Sequence, residues 1–369
     1  MKLMKLLIVS LFLFLPLATH AQSLDITVWS DHANHDQNTY PLGQSNLKIL
    51  PNGLLIDSHE FTNLITWNYS EINNRVATVK QEDELMLSLF DPAGQRLLIQ
   101  SLEFFDPADE TLKIYPINNG RTVLRDNVAN FTFLDPKGET LFSVSNSSQS
   151  ADGERESRLA ADDHGRTIVL YNPVISYGNT TGSRAKIVYA ENHERLFFNS
   201  MEMEIQDLKV SSNGAFISLL AAGGGESVVL IYDRFGNELY RYETTDSLRG
   251  VNLSPKGDFI TKFTTGRVQV FNTISGEVAG SSSSRGSVVD AFYFPEDETI
   301  IMLGGAISGL SISDPTVTAV HLGRRQIVRE DVRESIASYD PAEIRFNREA
   351  EGQYLIKGLN KHLQIIAQF

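Results

Sequence analysis

The chain has 369 residues, 41% of them hydrophobic and 21% charged, a balance that supports a packed core and excludes extended disorder. Lys and Arg number 32 against 46 Asp and Glu, a net charge of −14, which argues against nucleic acid or an anionic lipid surface as a general partner, since both are bound through clustered cations. Cysteine is absent, so disulfides, thiolate metal sites, a Cys nucleophile and a lipoprotein anchor are all excluded.

Residues 1–21 read as a secretory signal peptide. Lys2 and Lys5 form a basic start, Leu6 to Leu17 an apolar stretch, and Thr19-His20-Ala21 a small-x-small cleavage site. The apolar stretch is shorter than the roughly 20 residues of a spanning helix. The expectation is a cleaved, exported bacterial protein, periplasmic or secreted, spanning residues 22–369 as one domain with no membrane span.

From Leu24 onward, short β-rich runs alternate with Gly, Asn, Asp and Pro punctuation, and helical periodicity is scarce. One device recurs: an apolar run, an acidic or Asn turn with Gly, and a second run. It appears in LMLSLFDPAGQRLLI around Gly94, FTFLDPKGETLFSV around Gly138, VVLIYDRFGNELYRY around Gly236 and VQVFNTISGEVAG around Gly276. KIVYAENHERLFF is a weaker copy with His193 in the Gly position. Asp or Asn caps such a turn, and Gly supplies its positive φ.

Successive copies lie 44, 55, 43 and 40 residues apart. A second turn series falls between them, at Asp163-His164-Gly165, Ser212-Asn213-Gly214, Pro255-Lys256-Gly257, Glu296-Asp297-Glu298 and Glu351-Gly352. Two hairpins per period make four strands, which is a propeller blade. Blades are expected near 64–102, 103–148, 157–200, 203–244, 247–283, 287–323 and 341–369, seven in all. The last supplies three strands only. LDITVW, residues 24–29, can add the fourth and close the ring, with NLKILPNGLLID competing for the same place.

LIYDRFGNELYRY, with Asp233 and Gly236, resembles the repeat unit of the YVTN and WD-repeat-like β-propellers, and the pattern covers nearly all of residues 22–369. The Trp-Asp dipeptide of a WD repeat is missing. The resemblance implies a disc with a central channel that serves as a binding platform, or occasionally as a hydrolase or lyase, and fold does not choose among these. An outer-membrane barrel is disfavoured because Val228 to Tyr232 is continuously apolar rather than alternating.

No catalytic or cofactor motif stands out. His32, His35 and Asp36, and also Asp162, Asp163 and His164, contain metal-ligating residue types, but loop and turn positions account for both groups. Ser281 to Gly286 lacks a nucleophile elbow, and Gly223-Gly224-Gly225 lacks the Lys-Ser/Thr of a phosphate loop. Near 325–339, Val328, Val332, Ile336 and Tyr339 form an apolar stripe at helical spacing, so one inserted helix is expected there. In a propeller, connections between blades and those between second and third strands emerge on one face. That face would carry Tyr177, Asn179, Glu226, Arg249, Arg285, Arg329 and Arg333. The expected function is non-catalytic binding of an envelope or secreted protein, or of a small ligand, with no cofactor. A metal-assisted, lactonase-like hydrolase at the channel mouth is the other reading.

Overall fold

The computed structural model describes residues 22–369 apart from 30–38, 43–44, 51–52, 71–74, 104, 106–110, 118–120, 148–156, 163, 178–179, 191–192, 310 and 338–343. The expected signal peptide therefore lies outside the described residues, as do His32, His35 and Asp36.

The described residues form eight antiparallel sheets, each with a four-strand path; in seven of them successive strands of the chain pair, and the last also takes in the N-terminal strand. In chain order these blades span 39–62, 64–101, 113–145, 158–200, 204–244, 250–283, 288–331 and 345–368. The seven expected units are all present, and residues 39–62 add an eighth instead of competing for the seam. The extra sheet lacks the Asp-x-x-Gly device. Its second hairpin turns at Asp57, with φ 50°, whose carboxylate Oδ1 accepts a hydrogen bond from the Asn46 N–H at 2.9 Å.

The eighth blade contributes only Arg345–Ala350, Gln353–Lys357 and His362–Gln368 from the C-terminal part of the chain. Its fourth strand is Ser23–Trp29, in register with the terminal strand from Ser23 opposite Gln368 to Trp29 opposite His362. The expected use of LDITVW as the closing strand is therefore observed.

Apolar side chains from adjacent sheets form one cluster at each of the seven seams between consecutive blades. Between blades five and six, for example, Leu220, Val229 and Ile231 meet Val251, Leu253 and Ile260. Equivalent clusters join the other neighbours. With no cysteine to cross-link them, this burial is what holds the blades together. Fourth strands are largely exposed, as in Glu238–Thr244, whereas the first strand of blade six, Gly250–Leu253, is fully buried. First strands of neighbouring blades also lie against one another. Fourth strands thus form the outer rim, and first strands face the middle.

The helix expected near 325–339 is not formed. Gln326–Asp331 is the fourth strand of blade seven, and Ile336–Ala337 pairs with the third strand, Ser311–His321. A spacing of four is also a multiple of two, so Val328, Val332 and Ile336 suit one side of extended chain as well as a helical stripe. Val328 pairs with Ala319 and Ile336 with Ile312, while the Val332 N–H donates to the Pro315 carbonyl. Tyr339 lies outside the described residues.

Candidate functional face

The chain direction in four-stranded blades puts two sets of turns at opposite ends of the stack. One end holds the turns after first and third strands. There, turn glycines nest against the preceding blade. A Cβ on Gly236 would lie 2.9 Å from Phe197, one on Gly276 2.9 Å from Tyr240, and one on Gly257 only 2.0 Å from the Phe216 ring. Polar links tighten the same end. The Thr167 hydroxyl donates to the Gly214 carbonyl at 2.7 Å. Arg348 donates two hydrogen bonds to Asp297, at 2.9 and 2.7 Å, and the Tyr354 hydroxyl adds a third at 2.9 Å. Burial pushes the Asp297 carboxyl upward, but these donors outweigh it and hold the group below the usual carboxylate range.

The other end is open. Gly224 and Gly225, between second and third strands of blade five, have clear space where a side chain would project, and the same is true of Gly266, Gly286 and Gly309. This end carries the loops between blades and between second and third strands, the combination in which a rigid scaffold presents adaptable contacts.

Blade six brings three arginines to this open end. Arg249 precedes its first strand, Arg267 begins its third, and Arg285 follows its fourth. Backbone hydrogen bonds gather their loops into one layer. The Arg249 N–H donates to the Phe263 carbonyl at 2.8 Å, the Ser284 N–H to Gly266 at 2.8 Å, and the Val288 N–H to Thr265 at 2.8 Å. The Arg249 guanidinium also reaches the Val288 carbonyl, at 3.4 Å. All three arginines are exposed, and among the described residues no ion pair neutralises them.

Beneath them Lys262 adds a fourth cation. Its ammonium is buried and lies 3.3 Å from the Tyr242 ring centroid and 4.6 Å from that of Phe271. Burial lowers its pKa, with Tyr242 opposing the shift. The open end of blade six is therefore a cationic spot on an acidic protein. A guanidinium fork there suits a carboxylate or phosphate.

A chain of polar contacts links the first strands of three neighbouring blades. Lys209 of blade five donates to the Asn252 side-chain oxygen at 2.6 Å. The Asn252 amide in turn donates to the Asp290 carboxylate at 2.5 Å and to the Ala291 carbonyl at 2.8 Å. These residues belong to the first strands of blades five, six and seven. Desolvation raises the Asp290 pKa, although Lys209 pulls it down.

Of the residues expected on the open face, Glu226 is exposed at its blade-five hairpin and Arg249 and Arg285 belong to the cationic layer. Tyr177 ends the second strand of blade four, paired with Thr180, and Asn179 lies outside the described residues. Arg333 is exposed in the connection after blade seven, with Glu330 loosely paired at 3.9 Å. Arg329 sits on the rim strand, where its Nε donates to the Thr318 hydroxyl at 3.0 Å. Arg267 went unread in the sequence. Its signal is spacing: residues 249, 267 and 285 are each separated by 18 positions, and Arg267 directly follows the turn Thr264-Thr265-Gly266.

Asp162 caps its own turn, accepting from the Arg166 and Thr167 N–H groups at 2.6 and 2.7 Å. Among the described residues no three His, Cys, Asp or Glu side chains gather as metal ligands, and no helix is long and apolar enough to cross a membrane.

No protein-family model matches the sequence, and no curated protein does. Solved structures do match in fold. The Dos1 propeller superposes with a TM-score of 0.55 at 12% identity, over 93% of this chain and 95% of that one. BamB from Moraxella catarrhalis gives 0.51 at 13% identity, over 94% of this chain and all of that one. At these identities the likeness is one of fold, that of a β-propeller.

Proposed function

We propose that this protein is an exported, non-catalytic β-propeller that binds a partner protein through its open loop face, with Arg249, Arg267 and Arg285 engaging carboxylates of that partner. The observation that carries this reading is the contrast between the two ends. One is closed by turns wedged blade against blade, and the other bears free loops and three exposed arginines that form no ion pair among the described residues. Unpaired arginines on an acidic protein favour an acidic partner surface and speed encounter with it. Export rests on the basic and apolar character of residues 1–21.

The test is partner capture from an envelope extract, comparing the native protein with the triple variant Arg249→Glu, Arg267→Glu and Arg285→Glu. Exposed substitutions of this kind change stability by about 0.5 kcal/mol or less each, so the fold should persist. Capture should be lost and should weaken with salt in the native protein. Lys137→Glu with Lys256→Glu, on the closed end, should leave it intact. Loss of capture with the second pair and not with the first would overturn the assignment of the face.

A further inference from the structure

The fourth strand of blade eight, Ser23–Trp29, ends its sheet. One edge is fully paired with His362–Gln368, and among the described residues no strand pairs with the other. Alongside that second edge runs a groove of about 470 Å³, walled by Leu24 to Val28 on one side and by Glu330 to Glu334 on the other. Leu24 is buried and Ile26 and Val28 half-buried, whereas Asp25 and Thr27 are exposed, the alternation of a strand with one side committed to the core.

Four carboxylates line the groove, Asp25, Glu330, Asp331 and Glu334, against a single cation, Arg333. Lys361 neutralises Glu334 at 2.7 Å, and Arg333 approaches Glu330 only to 3.9 Å. Asp25 and Asp331 have no ion-pair partner among the described residues.

We infer that the groove accepts an extended, basic peptide segment of a partner, which adds as a fifth strand to blade eight along Ser23–Trp29. An unpaired strand edge supplies main-chain donors and acceptors for such an addition, and side-chain chemistry along the groove selects the sequence. Here the wall of blade seven turns an open rim into a slot, and its carboxylates select Lys or Arg at alternate positions. The inference is independent of the arginine layer, which is on another part of the molecule and would attract the opposite charge.

The probe is a seven-residue peptide, Lys-Val-Lys-Val-Lys-Val-Lys, blocked at both ends and fluorescently labelled, titrated into the protein. Two comparison peptides replace Lys by Glu or Val by Pro. Binding should be at least tenfold weaker for each comparison peptide, and for the protein carrying Asp25→Lys and Asp331→Lys after its melting curve has shown it folded. Hydrogen exchange at residues 23–29 should slow on peptide binding. Equal affinity for the proline peptide would refute strand addition, because proline removes the ladder donors. Unchanged affinity in the charge variant would refute the groove as the site. Slowed exchange at 23–29 with rising protein concentration and no peptide would assign the edge to a second copy of the chain and likewise overturn the proposal.

Discussion

Replacing Gly257 by Ala separates what a turn glycine does for its own backbone from what it does for the neighbouring blade. Gly257 has φ +75°, and Gly224 has φ +62°. Alanine in this left-handed region costs about 1–2 kcal/mol at either position. The surroundings differ. At Gly224 nothing lies within 4 Å of the new Cβ, whereas at Gly257 it would fall 2.0 Å from the Phe216 ring. Phe216 is packed against the cluster between blades five and six, so its ring cannot move without disturbing Val251, Leu253 and their partners. Forcing extra volume into such a seam costs about 1–3 kcal/mol more. Gly257→Ala should therefore lose about 2–5 kcal/mol, and Gly224→Ala only the strain. Gly266→Ala, without positive φ and with open space, should be close to neutral. Unfolding entropy for a chain of this length is about 0.8 kcal/mol per kelvin, so the seam effect is only about 1–4 °C in Tm, and urea midpoints are the better assay. Equal midpoints for Gly257→Ala and Gly224→Ala would refute the idea that the closed end is held by turns wedged between blades.

Deleting residues 22–30 should remove a complete strand ladder and the burial of Leu24, lowering stability by several kcal/mol; a melting temperature within a degree or two of the native value would contradict closure by the N-terminal strand. Asp297→Asn should cost about 2 kcal/mol near neutral pH. The folded pKa of Asp297 is depressed, so its contribution is full above the unfolded value and is lost as pH falls through the folded one. The variant and the native protein should therefore converge in acid. Lys262→Met should be more stable at neutral pH, because the buried ammonium is penalised while charged. The gap should close as pH rises from the lowered folded pKa toward the ordinary lysine range, and urea unfolding across that interval tests it.

The four-strand repeat was legible because its turns demand particular residues. Gly94, Gly138, Gly236 and Gly276 all have positive φ at the expected hairpins. The first blade was not, because its turn uses Asp57, a residue that tolerates left-handed backbone without advertising it as Gly does. The stripe at Val328, Val332 and Ile336 misled because an interval of four satisfies both helix and strand, and only pairing with Ala319 and Ile312 decides between them. At the open end, Arg249 and Arg285 could be placed by topology. The convergence with Arg267 could not, since it depends on hydrogen bonds from Ser284 to Gly266 and from Val288 to Thr265 that no local pattern encodes. The acidic groove is equally silent in sequence. Its walls are separated by about 300 positions and meet only because the first strand belongs to the last blade.

That shared blade also fixes an order of events in folding. Ser23 and Gln368, whose side chains meet at 3.4 Å, are separated by 345 positions, and every rung between Ser23–Trp29 and His362–Gln368 has comparable reach. Local hairpins can form as the chain lengthens, but Ser23–Trp29 must wait for His362–Gln368. Contacts of such long range are slow to make from an unfolded chain, whereas a stack of seven preformed blades brings the two ends near each other and reduces the entropy of the final closure. Until then the edge of His362–Gln368 is an unpaired apolar template in a nearly complete molecule. It is open to the first strand of another copy as readily as to its own, so strand exchange between chains is the characteristic misassembly of this architecture.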